Sequence, residues 1–121
     1  MNTKLKGAMG EQFAARHLRE KGYNICSANY SYGTGEIDII AEKKKVICFV
    51  EVKTRTQGGM YAPADAVDYK KQENIKSSAA AYINSFSIKN KIRYDIVEVI
   101  LSDNNDLVSI NHIEDAFGGF L

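Results

Sequence analysis

Hydrophobic and polar positions recur with two different periods along this chain, and each change of period marks the boundary of a predicted element. Between Leu5 and Lys21, small and apolar residues recur every three or four positions, which predicts a helix ended by Gly22 at a left-handed cap. A second helix is predicted from Asp68, its N-cap, to about Asn84. The apolar stripe of this second helix consists of Ile75, Ala79, Tyr82 and Ile83.

Segments rich in branched and aromatic residues predict the strands. They are Tyr23–Ala28, Glu36–Ala41, Val46–Thr54, Ile92–Leu101 and Leu107–Ile113. Every residue from Val46 to Val50 is apolar, which is typical of a central strand covered on both faces. The element order α-β-β-β-α-β-β therefore predicts an α/β fold, with a mixed sheet flanked by helices, in a single domain over residues 1–121.

The composition is that of an ordinary globular protein. Of the 121 residues, 45% are apolar and 26% are charged, and the two cysteines are too few for a disulfide framework or a four-cysteine zinc site. The first ten residues lack the apolar core of a signal peptide, and the apolar run Val46–Val50 is far too short to span a membrane. We therefore expect a cytoplasmic protein without a membrane partner.

The net charge of +1 conceals an uneven distribution of charged residues. Residues 1–93 contain all 16 lysines and arginines against 9 acids, whereas the segment 94–121 contains 6 acids and no basic side chain. A basic body with an acidic C-terminal segment is compatible with a phosphate-bearing partner on the body. A solvated surface of uneven sign explains the pattern equally well, so charge alone does not assign the partner.

Two charged residues stand in the third predicted strand, which is otherwise apolar. Because strand side chains alternate, Glu51 and Lys53 lie on one face, which also carries Ile47 and Phe49. Burial of a charge is costly unless the charge is paired or bound to a metal ion. The two residues therefore indicate either a half-buried ion pair or a chemical site.

Asp38, in the preceding strand, bears on this choice, and its position depends on the turn expected at Glu42–Lys45. If the loop has an even number of residues, Asp38 lies opposite Phe49, or opposite Glu51 when the loop is two residues longer, and its side chain shares the face of Lys53. If the loop has an odd number of residues, the Asp38 side chain points to the opposite face. In the even case the two carboxylates lie within about 5–8 Å of each other. Two carboxylates suit one Mg²⁺ ion, and a lysine beside them suits hydrolysis of a phosphodiester.

Four short motifs follow one another in an order that the chain shares with a known family. They are Gly10-Glu11, Gly35-Glu36-Ile37-Asp38, Phe49-Val50-Glu51-Val52-Lys53-Thr54-Arg55, and Ala66-Val67-Asp68 followed by Lys71-Gln72. In these motifs, over about Gly7 to Ile83, the sequence resembles the YraN-like family of uncharacterised bacterial proteins. That resemblance implies the restriction-endonuclease-like fold of the PD-(D/E)xK nucleases, in a layout similar to archaeal Holliday junction resolvases.

The resemblance also implies roles for individual residues. It implies a metal-dependent DNA nuclease whose catalytic core is Asp38, Glu51 and Lys53. Glu11 would join Asp38 and Glu51 in holding Mg²⁺ or Mn²⁺. A salt bridge to Lys53 or a capping contact is the alternative role for Glu11.

Four further residues are candidates for DNA binding or for auxiliary roles. Arg55 is suited to binding a phosphate, or equally to a salt bridge at the rim of the site. Glu36 either contributes to the metal site, directly or from beside it, or is a solvent-exposed residue at the start of its strand. Lys71 and Gln72 begin the second helix, where anions bind favourably; an inward amide bonded to the backbone is the alternative for Gln72. His112 has no partner at ligand spacing and is expected at the surface.

Three functions remain open on these grounds. The first is a Mg²⁺- or Mn²⁺-dependent endonuclease acting on DNA, with branched or junction DNA suggested by the resolvase likeness alone. Cutting both strands of a junction requires two active sites, which a homodimer would provide. The second is a nucleic-acid-binding module with an inactive site, and the third is a protein-interaction domain that docks through its acidic segment 94–121.

Overall fold

The computed structural model of the protein describes residues 3–59 and 67–118, and it confirms the predicted element order. The helices and strands are α1 (Thr3–Glu20), β1 (Asn24–Tyr32), β2 (Gly35–Lys43), β3 (Val46–Thr56), α2 (Tyr69–Ser85), β4 (Lys91–Leu101) and β5 (Leu107–Ile113). Neither described helix combines the length and apolar character needed to cross a lipid bilayer.

The five strands form one mixed sheet in the order β1-β2-β3-β4-β5. Strands β1 to β3 form an antiparallel meander, β3 and β4 are parallel, and β5 returns antiparallel to β4. A parallel pair requires a crossover connection, and α2 supplies it between β3 and β4. The strand predicted to be central from its apolar run, β3, is the middle strand of the sheet.

The sheet has a separate apolar core on each face. The α2 side is built from Ile37, Ile40, Ile47, Phe49, Val67, Ile75, Ala79, Tyr82, Tyr94, Ile96 and Phe117. The α1 side is built from Ala14, Leu18, Tyr23, Ile39, Ala41, Cys48, Val50, Val97, Val99 and Leu101. Coverage of both faces explains why β3 is apolar from Val46 to Val50 and why β4 is buried from Tyr94 to Val99.

The turn between β2 and β3 has an even number of residues but is shorter than predicted. Strand β2 continues through Lys43, and only Lys44 and Lys45 form the turn, both with positive φ (52° and 67°). This backbone matches the two-residue hairpin turns that asparagine and glycine favour, so two lysines gave no sequence signal for it. The resulting register pairs Ile39 with Val50, which aligns Asp38 with Glu51, the second of the two predicted positions. The prediction that this alignment needs a longer loop was wrong, because β2 continues through Lys43 and the turn is shortened instead.

Strand β1 is longer than predicted. It runs to Tyr32 instead of Ala28, and its pairing with β2 shifts between Ile25 and Ser27. As the edge strand it is largely exposed, and Asn29 takes a positive φ of 54°. Exposed polar residues and a bulge remove the alternation on which strand prediction depends.

A buried polar network corrects the expectation for His112. Its side chain is 2% exposed, its Nε2 lies 2.7 Å from Asp95 Oδ2, and its Nδ1 lies 2.8 Å from the ammonium of Lys21. Arg93 donates two 2.8 Å hydrogen bonds to the same carboxylate and a third to the hydroxyl of Tyr23. Burial raises the pKa of Asp95, but the hydrogen bonds from His112 and Arg93 outweigh it and leave the pKa at about 2.

Candidate metal centre

The candidate site begins where the β2–β3 hydrogen-bond ladder ends. Ile39 and Val50 form the last backbone pair, and one residue further on the amide of Val52 donates to Asp38 Oδ2 at 2.8 Å. The aspartate side chain thus takes the place of a strand carbonyl. Its carboxyl group also lies close enough to the Glu51 carboxyl for Glu51 to raise its pKa.

The β2 backbone does not alternate strictly around Asp38. Ile37 and Ile40 both pack on the α2 side of the sheet, whereas Ile39 packs on the α1 side. The face-counting argument from the sequence is therefore too simple here. Asp38 interacts with Glu51 just beyond the last backbone pair of β2 and β3, and it also lines a groove on the α1 side.

Glu51 is the most deeply buried residue of the site, with 4% of its side chain exposed. Its Oε2 lies 3.5 Å from the ammonium of Lys53 and 2.5 Å from that of Lys71. Burial lowers the pKa of Lys53, an effect that Glu51 opposes and the nearby Lys71 reinforces. The pKa of Lys71 is raised, because its contact with Glu51 outweighs the effect of burial.

The two central carboxyl groups cannot both be charged at little cost. Burial first, and the charge of Glu51 second, raise the pKa of Asp38 from 3.8 to about 8, although the Val52 amide opposes the change. Carboxylates that share a buried position repel each other unless a cation lies between them. Lys53 and Lys71 compensate Glu51 but not Asp38, and the two carboxyl groups supply oxygen donors of the kind that a hard divalent ion binds.

Glu11 reaches this region because α1 approaches β3 very closely. A Cβ atom on Gly10 would lie 1.8 Å from Thr54 Oγ1, so only glycine allows the approach. Burial raises the pKa of Glu11, and the charges of Glu36 and Glu51 add to the increase. With its amide nitrogen turned toward the acids, Asn29 donates to Glu11 at 3.0 Å and to Glu36 at 3.3 Å.

Gly35 has the equivalent role on the other face. A Cβ atom there would lie 2.3 Å from Ser78 Oγ and 2.8 Å from the carbonyl oxygen of Asn74. Strand β2 can therefore begin directly against α2, three residues before Asp38. The glycines of the Gly10-Glu11 and Gly35-Glu36-Ile37-Asp38 motifs thus bring each helix close enough to the sheet for the acids to meet.

The remaining predicted residues are less tightly grouped. Lys71 lies in the first turn of α2, which Asp68 caps by accepting from the Lys71 amide, and its side chain contacts Glu51 as described. Gln72 donates to the carbonyl of Val67 at 2.9 Å, which is the backbone-bonded alternative for this residue. Arg55 lies half-buried two residues beyond Lys53 on β3. Ala66, the first residue of the fourth motif, lies outside the described residues.

One acidic residue of this region was missed in the sequence. Glu98 lies beside Lys53 in the parallel β3–β4 pair, and it is only 6% exposed. Its Oε1 accepts from Asn111 at 3.5 Å, while its Oε2 has no hydrogen-bond partner among the described residues. An acid within the apolar run from Ile96 to Ile100 was the available signal.

The arrangement is a partial ligand set rather than a closed cage. Within residues 3–59 and 67–118, no three histidine, cysteine, aspartate or glutamate side chains converge at ligand geometry. Mg²⁺ is usually held by one or two carboxylates and keeps several waters for its remaining positions. Asp38 and Glu51 suffice for such a site, and Glu11 stands at its edge.

Sequence comparisons agree in placing this chain among proteins of one kind. A sequence model described as "Uncharacterised protein family UPF0102" matches residues 10–99. A UPF0102 protein of Alkaliphilus oremlandii is 45% identical over 97% of this chain and 100% of its own length. The UPF0102 protein of Caldanaerobacter subterraneus subsp. tengcongensis is 44% identical over 97% of this chain and 98% of its own length. The UPF0102 protein of Porphyromonas gingivalis is 40% identical over 93% of this chain and 83% of its own length.

Proposed function

The chain belongs to the uncharacterised protein family UPF0102, and we propose that it is a metal-dependent endonuclease that hydrolyses phosphodiester bonds in DNA. The observation that carries this proposal is the pairing of Asp38 and Glu51 at the end of a strand ladder, with Lys53 3.5 Å from Glu51. Carboxylates and a lysine brought together at a half-buried strand end are what phosphodiester hydrolysis requires.

Each residue has a distinct task in this proposal. Asp38 and Glu51 would hold Mg²⁺ or Mn²⁺, with Glu11 contributing directly or through a water. When bound, the ion supplies charge stabilisation at the phosphate and a water of lowered pKa. Lys53 would orient the attacking water or neutralise charge on the phosphate oxygens, and the neighbouring Glu51 favours its charged form against the effect of burial on its pKa.

The surrounding residues keep these groups in place. The Val52 amide fixes the orientation of Asp38, and Lys71 holds Glu51 in the absence of a cation. Arg55, further along β3, is suited to an adjacent phosphate of the DNA backbone because guanidinium binds phosphate bidentately. Branched DNA, cut by a homodimer, is the substrate that the resolvase likeness suggests.

The test is a cleavage assay on a supercoiled plasmid and a labelled four-way junction, with and without Mg²⁺ or Mn²⁺. We expect Asp38→Asn and Lys53→Met each to lower the rate at least about 100-fold, equivalent to about 2.7 kcal/mol in the barrier. Asp103→Asn and Lys89→Met, which make the same chemical changes at exposed positions, serve as controls. Equal rates for Asp38→Asn and the parent would refute the proposal.

The contact between Lys71 and Glu51 supports a second candidate, a DNA-binding module with an inactive site. Two ammonium groups already compensate Glu51 without a metal ion. Such a module would bind DNA with a salt-dependent affinity and show no metal-stimulated cleavage. Calorimetric titration of Mn²⁺ into the parent and into Asp38→Asn separates the two candidates, because only a nuclease site predicts binding that the substitution abolishes.

A further inference from the structure

A groove of about 620 Å³ runs between α1 and the edge strand β1, and it opens beside the candidate metal centre. Glu11 and Asp38 line it at that end. Its walls also include apolar side chains from both elements, among them Phe13 from α1 and Ile25 from β1. The groove therefore reaches the proposed site at Asp38 and Glu11, while Glu51 and Lys53 are not among its lining residues.

The far end of the groove carries positive charge. Arg16 and Arg19 both line it, and both side chains are exposed. Arg16 lies 5.4 Å above the ring of Phe13, and neither guanidinium has an ion-pair partner within residues 3–59 and 67–118. The groove thus combines acids, an aromatic ring and two available cations in sequence along one helix.

The spacing of these groups fits a nucleic acid strand. At about 1.5 Å of rise per helical residue, Arg16 and Arg19 stand about 7.5 and 12 Å beyond Glu11 along the axis of α1. At about 3.4 Å per stacked nucleotide of one strand, this distance covers two to four nucleotides. A phosphate held at the acids would therefore bring its neighbours to the arginines.

We propose that this groove binds an unpaired strand of DNA, with one base beside Phe13 and the Arg16 guanidinium that lies over its ring, and with the phosphates that follow on Arg16 and Arg19. The inference rests on the proposed function, which it extends by naming the substrate class as DNA with single-stranded nucleotides next to the cut. Aromatic stacking with cationic contacts to the backbone is how proteins hold single strands without reading their sequence.

The dimensions of the groove select one strand over two. A volume of about 620 Å³ is that of a small-molecule site. The major groove of B-form DNA alone is about 12 Å wide, so a duplex would lie across the mouth and leave Phe13 without a contact. Only nucleotides freed from pairing can enter between α1 and β1.

The test measures binding rather than cleavage. Fluorescence anisotropy with a labelled 12-nucleotide oligothymidylate and a blunt duplex of the same length is recorded in EDTA, so that metal chemistry does not contribute. We expect the parent to prefer the single strand, and Arg16→Gln/Arg19→Gln to weaken that binding about tenfold and to reduce the salt slope by about 1.4. Phe13→Leu, which keeps the apolar bulk, should weaken it about fivefold or more.

A matched control removes two other exposed cations. Lys89→Gln/Lys91→Gln changes the net charge equally at exposed positions that do not line the groove, and it should change the affinity less than twofold. Equal binding by all variants, or tighter binding of the duplex by the parent, would overturn the groove assignment. If the parent binds single strands through the arginines yet never cleaves with Mg²⁺ or Mn²⁺, the groove stands and the nuclease proposal fails.

Discussion

Replacing Asp38 by asparagine should make the metal-free protein more stable, in spite of removing a residue placed at the centre of the site. The substitution keeps the shape of the side chain and an oxygen for the Val52 amide, but it removes a charge that burial and Glu51 disfavour. We therefore expect the variant to unfold at a higher urea concentration than the parent at neutral pH. Active sites are commonly positions where stability and activity oppose each other.

The magnitude follows from the pKa of Asp38, which rises from 3.8 to about 8 on folding. Between these two values the unfolded chain is ionised and the folded chain is protonated, so stability falls as pH rises through the interval. At pH 7, about 3.2 pH units above the unfolded pKa of 3.8, the part of the shift that is expressed corresponds to about 4 kcal/mol, at about 1.36 kcal/mol per pH unit. Asparagine still makes imperfect contacts with Glu51, so we expect a gain of about 2–4 kcal/mol.

The assay is urea unfolding of the parent and the variant in EDTA at several pH values from 4 to 8.5. The difference in the free energy of unfolding should grow with pH and nearly vanish at pH 4, where Asp38 is protonated in the folded chain. Asp103→Asn, at an exposed position, should stay within about 0.5 kcal/mol of the parent at every pH. An Asp38→Asn protein less stable than the parent at pH 8, or a gain independent of pH, would refute the reasoning.

Three further changes test other parts of the structure. Gly35→Ala should lower the free energy of unfolding by about 1–3 kcal/mol in urea titration, because its Cβ meets the Asn74 backbone; a neutral result would contradict that contact. Asp95→Asn should cost about 3 kcal/mol at pH 7. That cost should shrink as pH falls below 3.8 toward 2, a trend that unfolding curves at pH 7 and 3 would reveal. Lys44→Asn/Lys45→Gly should raise the thermal midpoint, with about 1 kcal/mol gained from relief of positive φ.

The sequence was sufficient for the features that depend on periodicity. The order of elements and the central position of β3 both follow from alternating or helical apolar patterns, whereas the parity of the hairpin turn was left open. Glu51 and Lys53 could be found for the same reason, because charge inside an apolar strand breaks the pattern visibly. The order of strands across the sheet was left open, since pairing between distant segments leaves no local mark.

Features that depend on one side chain meeting another across the fold were harder to predict. His112 is polar and stands in a short edge strand, so nothing nearby in the sequence shows that Asp95 and Lys21 surround it. The turn at Lys44 and Lys45 adopts a backbone that lysine rarely takes, because strand pairing on both sides overrides local preference. Glu98 was detectable as an acid in an apolar run, but its place beside Lys53 depends on the parallel pairing.

The bridge from Lys71 to Glu51 would couple binding of a ligand at the centre to the mobility of α2. That contact fastens the first turn of α2 to the middle strand. Any ligand that draws the glutamate to itself would release the lysine, and with it the entrance to the crossover helix. Backbone amides at the beginning of α2 would then exchange their hydrogens with solvent faster when a ligand is bound to Glu51. Binding at the centre would thus become detectable as greater mobility of α2 at the protein surface.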